Sequence, residues 1–311
     1  MSVDLNHEPV LRKEALDGLA VREGGQYLDG TYGRGGHASA ILRGLGPEGR
    51  LLVIDRDPVA VAKARTQWGS DTRVRVMQGN FADMRALSEQ AGLESSYNGI
   101  LLDLGVSSPQ LDQAERGFSF RADGPLDMRM DPSSGRPASA WVNSAPVEEI
   151  ADVIKRYGEE RFARRVAAAI VRAREASPFQ TTTELADVVA RAVPGREPGK
   201  NPATRTFQAI RIHINDELAA ISRGLEQSVP LLTAGGRLCV ISFHSLEDRI
   251  VKRFIRRESE EDEVWRGLPD MPDSARPALR RLGGAIRAGR EELAKNPRAR
   301  SAVLRTAEKL N

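Results

Sequence analysis

The first hundred residues alternate short apolar runs with segments of helical periodicity. The apolar runs lie at residues 27–29, 51–55, 74–77 and 98–103, and the helical segments follow them at 38–42, 58–68 and 83–91. Asp57 followed by Pro58 is typical of a helix start, because the aspartate caps the first turn and proline fits within it. Strands that alternate with helices predict a parallel, doubly wound, Rossmann-like α/β sheet.

The middle of the chain changes character twice. Residues 105–131 are rich in Gly, Pro and charge and follow neither period, which predicts a long binding loop or a disordered segment. Apolar stripes at helical spacing follow, as at Ile150, Val153 and Ile154. Thr181 and Glu184 form a capping box that opens another helix. We interpret this region as a helical domain inserted into the sheet.

The last third returns to the α/β pattern. A Pro/Gly-rich linker at 194–202 precedes one long predicted helix with its buried face over 207–225, and then a strand at 237–242. Ser245 is the predicted cap of the next helix, and weak strand signals near 285–287 and 301–306 predict a final pair. The expected division is 1–110 and 207–311 for the sheet domain, with 111–206 inserted.

A glycine-rich turn follows the first strand. It contains Gly30, Gly33, Gly35 and Gly36, and a helix is predicted from Ala38. Glycine adopts positive φ and lets a ligand approach the backbone closely, while the helix start directs N–H groups at that ligand. The turn therefore predicts a site for a nucleotide-like cofactor. A glycine-rich connection without a ligand is the alternative, since such spacing alone is weak evidence of binding.

Two further strand ends carry candidate cofactor contacts. Asp55 ends the second strand, where a carboxylate accepts hydrogen bonds from ribose hydroxyls of either NAD or S-adenosylmethionine (SAM). Phe81 follows the third strand and could cover an adenine. The alternatives are a carboxylate that caps the next turn and a phenylalanine packed in the core.

The fourth strand end distinguishes between these cofactors. Asp103 is followed by Ser107, Ser108 and Pro109, and N-methyltransferases acting on base amines place an acid or Ser, then Pro, after this strand. Acceptors that hold the amine N–H groups can turn the nitrogen lone pair toward a methyl donor, so that positioning supplies most of the catalysis. We therefore take Asp103, Ser107 and Ser108 as candidate catalytic residues. An NAD enzyme would instead need a proton-relay residue, such as a Tyr-x-x-x-Lys pair, and the sequence contains no such pair.

The composition is that of a soluble globular enzyme. The chain has 311 residues, of which 40% are hydrophobic and 29% charged, and no apolar run is long enough to span a bilayer. The single cysteine, Cys239, excludes an internal disulfide, and the absence of a secretion signal favours the cytoplasm. The four histidines show no metal-site spacing, so we expect no metal.

Basic clusters suggest a nucleic-acid partner. The net charge is only +3, but cations concentrate at 249–257 and 297–300, which suits a phosphate backbone unless these are solvated faces balanced by the acidic run 258–263. Aromatic and basic residues of the long loop could contact a splayed base. The candidate RNA contacts are Arg116, Phe118, Phe120, Arg205, His244 and Arg249. The alternative role for these residues is packing of the loop, and the alternative role for His244 is a structural hydrogen bond to the backbone.

Long matches along the chain resemble one family. They lie at 7–11, 29–37, 55–58, 102–111, 116–120, 125–130, 157–162, 205–209, 242–249 and 296–301. In these segments the sequence resembles the bacterial small-subunit (16S) rRNA cytosine-N4 methyltransferases, the RsmH (formerly MraW) family. The resemblance implies a SAM-dependent methyltransferase fold with an inserted helical domain. It also implies methylation of a decoding-region cytidine, in naked rRNA or in the assembled small subunit.

The resemblance also implies a set of cofactor contacts. These are Gly35, Gly36, His37, Asp55, Phe81, Asp103 and Gln110. Other hypotheses stay open beside this one: a SAM-dependent enzyme acting on DNA or small molecules, a non-catalytic RNA-binding protein that keeps the fold, and an NAD dehydrogenase. The oligomeric state is not predicted.

Overall fold

The computed structural model describes residues 9–93, 96–194, 201–261, 264–265, 272 and 275–311. The chain divides into two compact units, Met1–Gly105 with Leu218–Asn311, and Val106–Glu217. Residues 106–110 and 207–217, which the sequence assigned to the sheet domain, thus fall in the second unit. Within the described residues, no helix is both long and apolar enough to cross a membrane.

The first unit is built on a seven-stranded sheet. Its strands are β1 (Gln26–Asp29), β2 (Arg50–Asp55), β3 (Val74–Gln78), β4 (Tyr97–Asp103), β5 (Leu232–Ser242), β6 (Leu279–Arg281) and β7 (Val303–Lys309). They lie in the order β3-β2-β1-β4-β5-β7-β6. Strands β1 to β5 are parallel, and β7 is antiparallel to β5 and β6. The predicted α/β sheet is confirmed.

Helices of the first unit alternate with the strands along much of the chain. They are α1 (Arg12–Leu19), α2 (Gly36–Gly44), α3 (Pro58–Trp68), α4 (Met84–Gln90), α11 (Glu217–Leu231), whose first residue belongs to the second unit, α12 (Ser245–Glu258) and α13 (Arg290–Lys295). Asp57 caps α3 as predicted, since its carboxylate accepts a hydrogen bond from the Val59 amide at 3.0 Å.

Both faces of the sheet are buried. Successive residues of a strand point to opposite faces, and Leu51 and Leu52 belong to different apolar clusters, as do Tyr27 and Leu28. This explains why the parallel strands read as continuous apolar runs rather than as alternating patterns.

The second unit is helical. It contains α5 (Ser108–Asp112), α6 (Ala138–Val142), α7 (Val147–Gly158), α8 (Ala163–Ala176), α9 (Thr182–Ala192) and α10 (Thr204–Asn215). The predicted stripe of Ile150, Val153 and Ile154 lies in its core. The capping box of Thr181 and Glu184 opens α9 as predicted.

The single helix predicted over 207–225 is wrong. The chain forms α10 and α11, separated at Asp216, which has φ 52°. Asn215 explains the break: its side-chain amide donates to the carbonyls of Met128 and Arg211 at 2.8 and 2.9 Å, and its oxygen accepts from the Met130 amide at 2.8 Å. These bonds tie the end of α10 to a loop remote in sequence.

Three smaller predictions also differ from the structure. The aperiodic segment 105–131 contains α5 and a 3₁₀ turn at Ala114–Arg116. The cap of α12 is His244 rather than Ser245, since the ring Nδ1 accepts from the Glu247 amide at 3.4 Å. In the tail, β7 pairs with β6, whereas Ile286 makes only an isolated bridge to Leu304. Residues 195–200 of the predicted linker lie outside the described residues.

Candidate active site

The turn between β1 and α2 depends on its glycines. Gly33 and Gly35 have φ of 54° and 80°, which residues with a Cβ rarely adopt. A Cβ at Gly30 would lie 2.6 Å from Leu102 Cδ2. The Ser39 amide donates to the Gly35 carbonyl at 2.8 Å, which is the first hydrogen bond of helix α2. The N–H groups just before Ser39 therefore have no partner within α2. The turn therefore offers an N–H cradle at the carboxyl edge of the sheet.

Asp55 holds this turn to the end of β2. Its Oδ2 accepts from the Gly33 amide at 2.7 Å, and its Oδ1 accepts from the Asp57 amide at 2.8 Å. Burial raises the pKa of Asp55 to about 6, against the lowering effect of these backbone hydrogen bonds. Each carboxylate oxygen has two lone pairs, so each can accept a further hydrogen bond from a ligand hydroxyl.

Thr31 links the ends of β1 and β4. Its amide donates to Asp29 Oδ1 at 3.1 Å, and its hydroxyl oxygen accepts from the Asp103 amide at 2.6 Å. The position of Asp103 is thus fixed by the glycine turn itself. Asp29 and Thr31 were not singled out as site residues by the sequence, although an acid followed by a hydroxyl residue in a glycine turn was a usable signal.

The Asp103 carboxyl group is close to other acids. Burial raises its pKa well above the ordinary value, and the charges of Asp29 and Glu247 raise it further. Asp29 itself has its pKa raised to about 7 by burial. Among the described residues, neither Asp103 Oδ1 nor Asp29 Oδ2, both buried, has a hydrogen-bond partner. Such a concentration of carboxylates suits a ligand that carries positive charge.

His37 lies beside Asp103 in the first turn of α2. Its side chain is buried, and Nε2 is 3.7 Å from Asp103 Oδ2, which is beyond hydrogen-bond distance. Burial lowers the pKa of His37 to about 4. The ring is therefore neutral at pH 7 and does not neutralise Asp103.

Phe81 lies between the glycine turn and α11. A Cβ at Gly224 would come within 2.6 Å of Phe81 Cδ2, and one at Gly30 within 3.1 Å of Phe81 Cβ. Phe81 is partly buried against the core cluster on this face of the sheet. Its packing fixes the ring at the carboxyl edge of β3.

The remaining cofactor and catalytic candidates belong to the second unit. Ser107 precedes α5, and its amide donates to Gln110 Oε1 at 2.9 Å. Gln110 is buried, and Ser107 and Ser108 are partly buried. The side chain of Gln110 therefore stabilises the start of α5, and this contact fixes its carbonyl group.

Three RNA candidates of the long loop are packed within the second unit. Arg116 is buried and donates to the carbonyls of Arg129 and Met130 at 3.2 and 2.9 Å. Phe118 is 6% exposed. Phe120 meets Phe207 edge-on, with ring centroids 4.7 Å apart. These contacts favour the alternative of loop packing for all three.

The other three candidates differ in their exposure. Arg205 is 40% exposed, and its Nη1 lies 3.8 Å from Glu160 Oε2. Arg249 is exposed on α12. His244 is a helix cap with Nε2 3.1 Å from Glu247 Oε1, which is the structural role given above as its alternative. Glu247 is fully buried and was missed by sequence reasoning, since a buried acid inside a basic helix has no periodic signal.

The comparisons with known proteins cover nearly the whole chain. The family model described as the MraW methylase family matches residues 4–310. The chain belongs to the MraW methylase family. The protein named ribosomal RNA small subunit methyltransferase H in Thioalkalivibrio sulfidiphilus is 56% identical over 98% of this chain and 97% of its own length. Its namesake in Coxiella burnetii is 53% identical over 98% and 99% of the two chains.

Solved structures were also compared. An rRNA methylase from Streptococcus thermophilus is 10% identical over 98% of this chain and 98% of its own, with a TM-score of 0.43. The family assignment rests on the sequence matches.

Proposed function

We propose that this MraW-family chain is a SAM-dependent methyltransferase that methylates the N4 amine of a cytidine in the decoding region of small-subunit rRNA. The observation that carries the proposal is the glycine turn with Asp55 and the acidic Asp103 at one sheet edge, in a chain that the family model matches from residue 4 to 310. The names of the 53–56% identical relatives support the rRNA substrate. An rRNA substrate implies that the protein acts in the cytoplasm.

The residues at the sheet edge fit SAM. The amides of Gly36 and His37 would line the cofactor, together with the backbone at Gly35, whose own amide donates to the Tyr32 carbonyl at 2.7 Å. Asp55 would accept hydrogen bonds from the ribose hydroxyls. Asp103, with a buried oxygen that lacks a partner among the described residues, would face the positively charged methionine part. Phe81 would contact the adenine, and Gln110 would complete the set.

Catalysis would depend on orienting the cytidine amine. The bound cofactor supplies a methyl group on a sulfonium sulfur. Ser107 and Ser108 would accept hydrogen bonds from the two amine N–H groups and turn the nitrogen lone pair toward that methyl group, while Asp103 would hold the methionine side of the cofactor beside it. A new N–C bond would replace the C–S bond of SAM, and the amine would then release its extra proton to solvent. Alignment of the reacting atoms supplies most of the rate, and no metal is required.

RNA binding would use the exposed candidates. We propose Arg205 and Arg249 as contacts to the phosphate backbone. Arg116 and Phe118 would hold the shape of their own loop through the contacts described above, and His244 would fix the start of α12.

A substrate panel tests the proposal. Labelled SAM is supplied with small subunits lacking the modification, with naked 16S rRNA, and with a DNA strand of the same sequence. We expect transfer to one of the two ribosomal substrates and none to DNA. Methylation of DNA, or SAM binding with no transfer to any nucleic acid, would favour the alternative functions.

A further inference from the structure

The exposed face of α12 is strongly basic. Residues 249–257 hold five cations and no acid. Arg249, Lys252, Arg253 and Arg256 are exposed and follow one another at i, i+3, i+4 and i+7, so they form a single stripe along the helix. We call Arg249, Lys252 and Arg253 the α12 basic face.

The opposite side of α12 is firmly anchored. Val251, Phe254 and Ile255 are buried in the apolar cluster under the sheet. Asp248 accepts from Arg305 of β7 through both carboxylate oxygens, at 2.7 and 3.0 Å. The stripe is therefore presented on a fixed helix rather than on a mobile tail.

The cations of the stripe differ in their partners among the described residues. Arg256 is bonded to Glu260 at 2.9 Å, and Arg257 to Glu258 at 2.9 Å. For Lys252 and Arg253, the described residues provide no carboxylate within ion-pair distance. These two cations are thus available to an external anion.

The helix begins at the candidate active site. It follows directly from β5, and Ile241 near the end of β5 is paired with Asp103 at the end of β4. Arg249 lies about 6 Å along the helix from its first residue, and Arg253 lies about 6 Å beyond that. Since neighbouring phosphates of a stacked strand are separated by about 3.4 Å along its axis, the length of the α12 basic face matches about two phosphate steps.

We propose that the α12 basic face binds the phosphate backbone of the RNA strand that flanks the target nucleotide. The inference rests on the proposed function, because it assumes that the target base reaches the edge where β4 and β5 end. Sequence-independent contacts of this kind would position the strand, and the active site would select the base.

The test compares two neutralised variants with equal charge loss. Lys252→Gln with Arg253→Gln alters the α12 basic face. Lys63→Gln with Arg65→Gln, both exposed on α3 at the other edge of the sheet, is the control. Binding of a single-stranded 16S rRNA fragment to both variants and the wild type is measured over a range of salt concentrations, together with SAM binding and thermal unfolding.

The expected result is a specific loss for the α12 variant. Each lost phosphate contact lowers the slope of log K against log salt by about 0.7, so two lower it by about 1.4 and weaken binding about 25-fold at 0.1 M salt. SAM affinity should be unchanged, and the α3 control should bind RNA like the wild type.

Other results overturn the inference. Equal slopes for the two variants would show that only net charge matters, while unaltered binding by the α12 variant would show that the face is merely solvated. If the wild type methylates the subunit in either case, the proposed function stands. A wild type that binds SAM but no RNA would contradict both.

Discussion

Thr31 provides a sharp test of how the site is held together. Its hydroxyl accepts from the Asp103 amide at 2.6 Å, and its own amide donates to Asp29. Thr31→Val keeps the shape of the side chain but removes the acceptor. Thr31→Ser keeps the hydroxyl and serves as the matched control.

The magnitude follows from the group left without a partner. An unsatisfied buried N–H costs about 1–3 kcal/mol, and because this site is only partly buried we expect about 1–2 kcal/mol. Asp103 would also lose its fixed position. If about 0.7 kcal/mol of the loss is felt in cofactor binding, the Kd for SAM rises about threefold.

Thermal unfolding and SAM titration are the assays. Thr31→Val should unfold at a lower temperature and bind SAM more weakly, while Thr31→Ser stays close to the wild type on both measures. If both variants match the wild type, the hydroxyl does not position Asp103 and the reasoning fails.

Three further predictions concern single residues. Asn215→Ala should destabilise the second unit by about 1–3 kcal/mol, because it leaves the Met130 amide without its acceptor inside the protein. Residues 126–130 should then lose protection in hydrogen exchange, and unaltered protection would contradict the prediction. His244→Ala should lower the free energy of unfolding by about 1 kcal/mol, because α12 loses its cap. His244→Asn can cap a helix and should recover most of that loss in thermal unfolding. Equal losses in the two variants would refute the capping role. Burial raises the pKa of Asp55 to about 6, so its carboxylate becomes protonated as the pH falls through 6 and SAM affinity should drop there. Calorimetry should show that Asp55→Asn binds SAM weakly and with a flatter pH profile than the wild type. A pH profile identical to that of the wild type would exclude Asp55 as the source of the pH dependence.

The strands β1, β2 and β4 were predictable because they are largely buried on both faces. The apolar run 51–55 matches β2, and the Asp57–Pro58 start matches α3, since both signals are local. The capping box at Thr181 was predictable for the same reason. Such patterns need no knowledge of distant contacts.

Other features depend on partners remote in sequence. The break at Asp216 follows from bonds between Asn215 and residues 128–130, which no helical pattern reveals. Arg116 reads as a mobile cation in an aperiodic loop, but backbone carbonyls at 129 and 130 satisfy its guanidinium group. The same limit applies to the site: the glycines and Asp55 were visible, whereas the Asp29–Thr31–Asp103 linkage was not.

The most direct measurement of the central claim is the identity of the modified nucleoside. Small-subunit rRNA from a strain that lacks this gene is compared with rRNA from the same strain supplied with the wild-type chain or with Asp103→Ala, and each digest is mapped by mass spectrometry. The account predicts one N4-methyl mark on a decoding-region cytidine with the wild type and its loss with the variant. A mark on another atom, base or RNA, or an undiminished mark with Asp103→Ala in a folded protein, would contradict it.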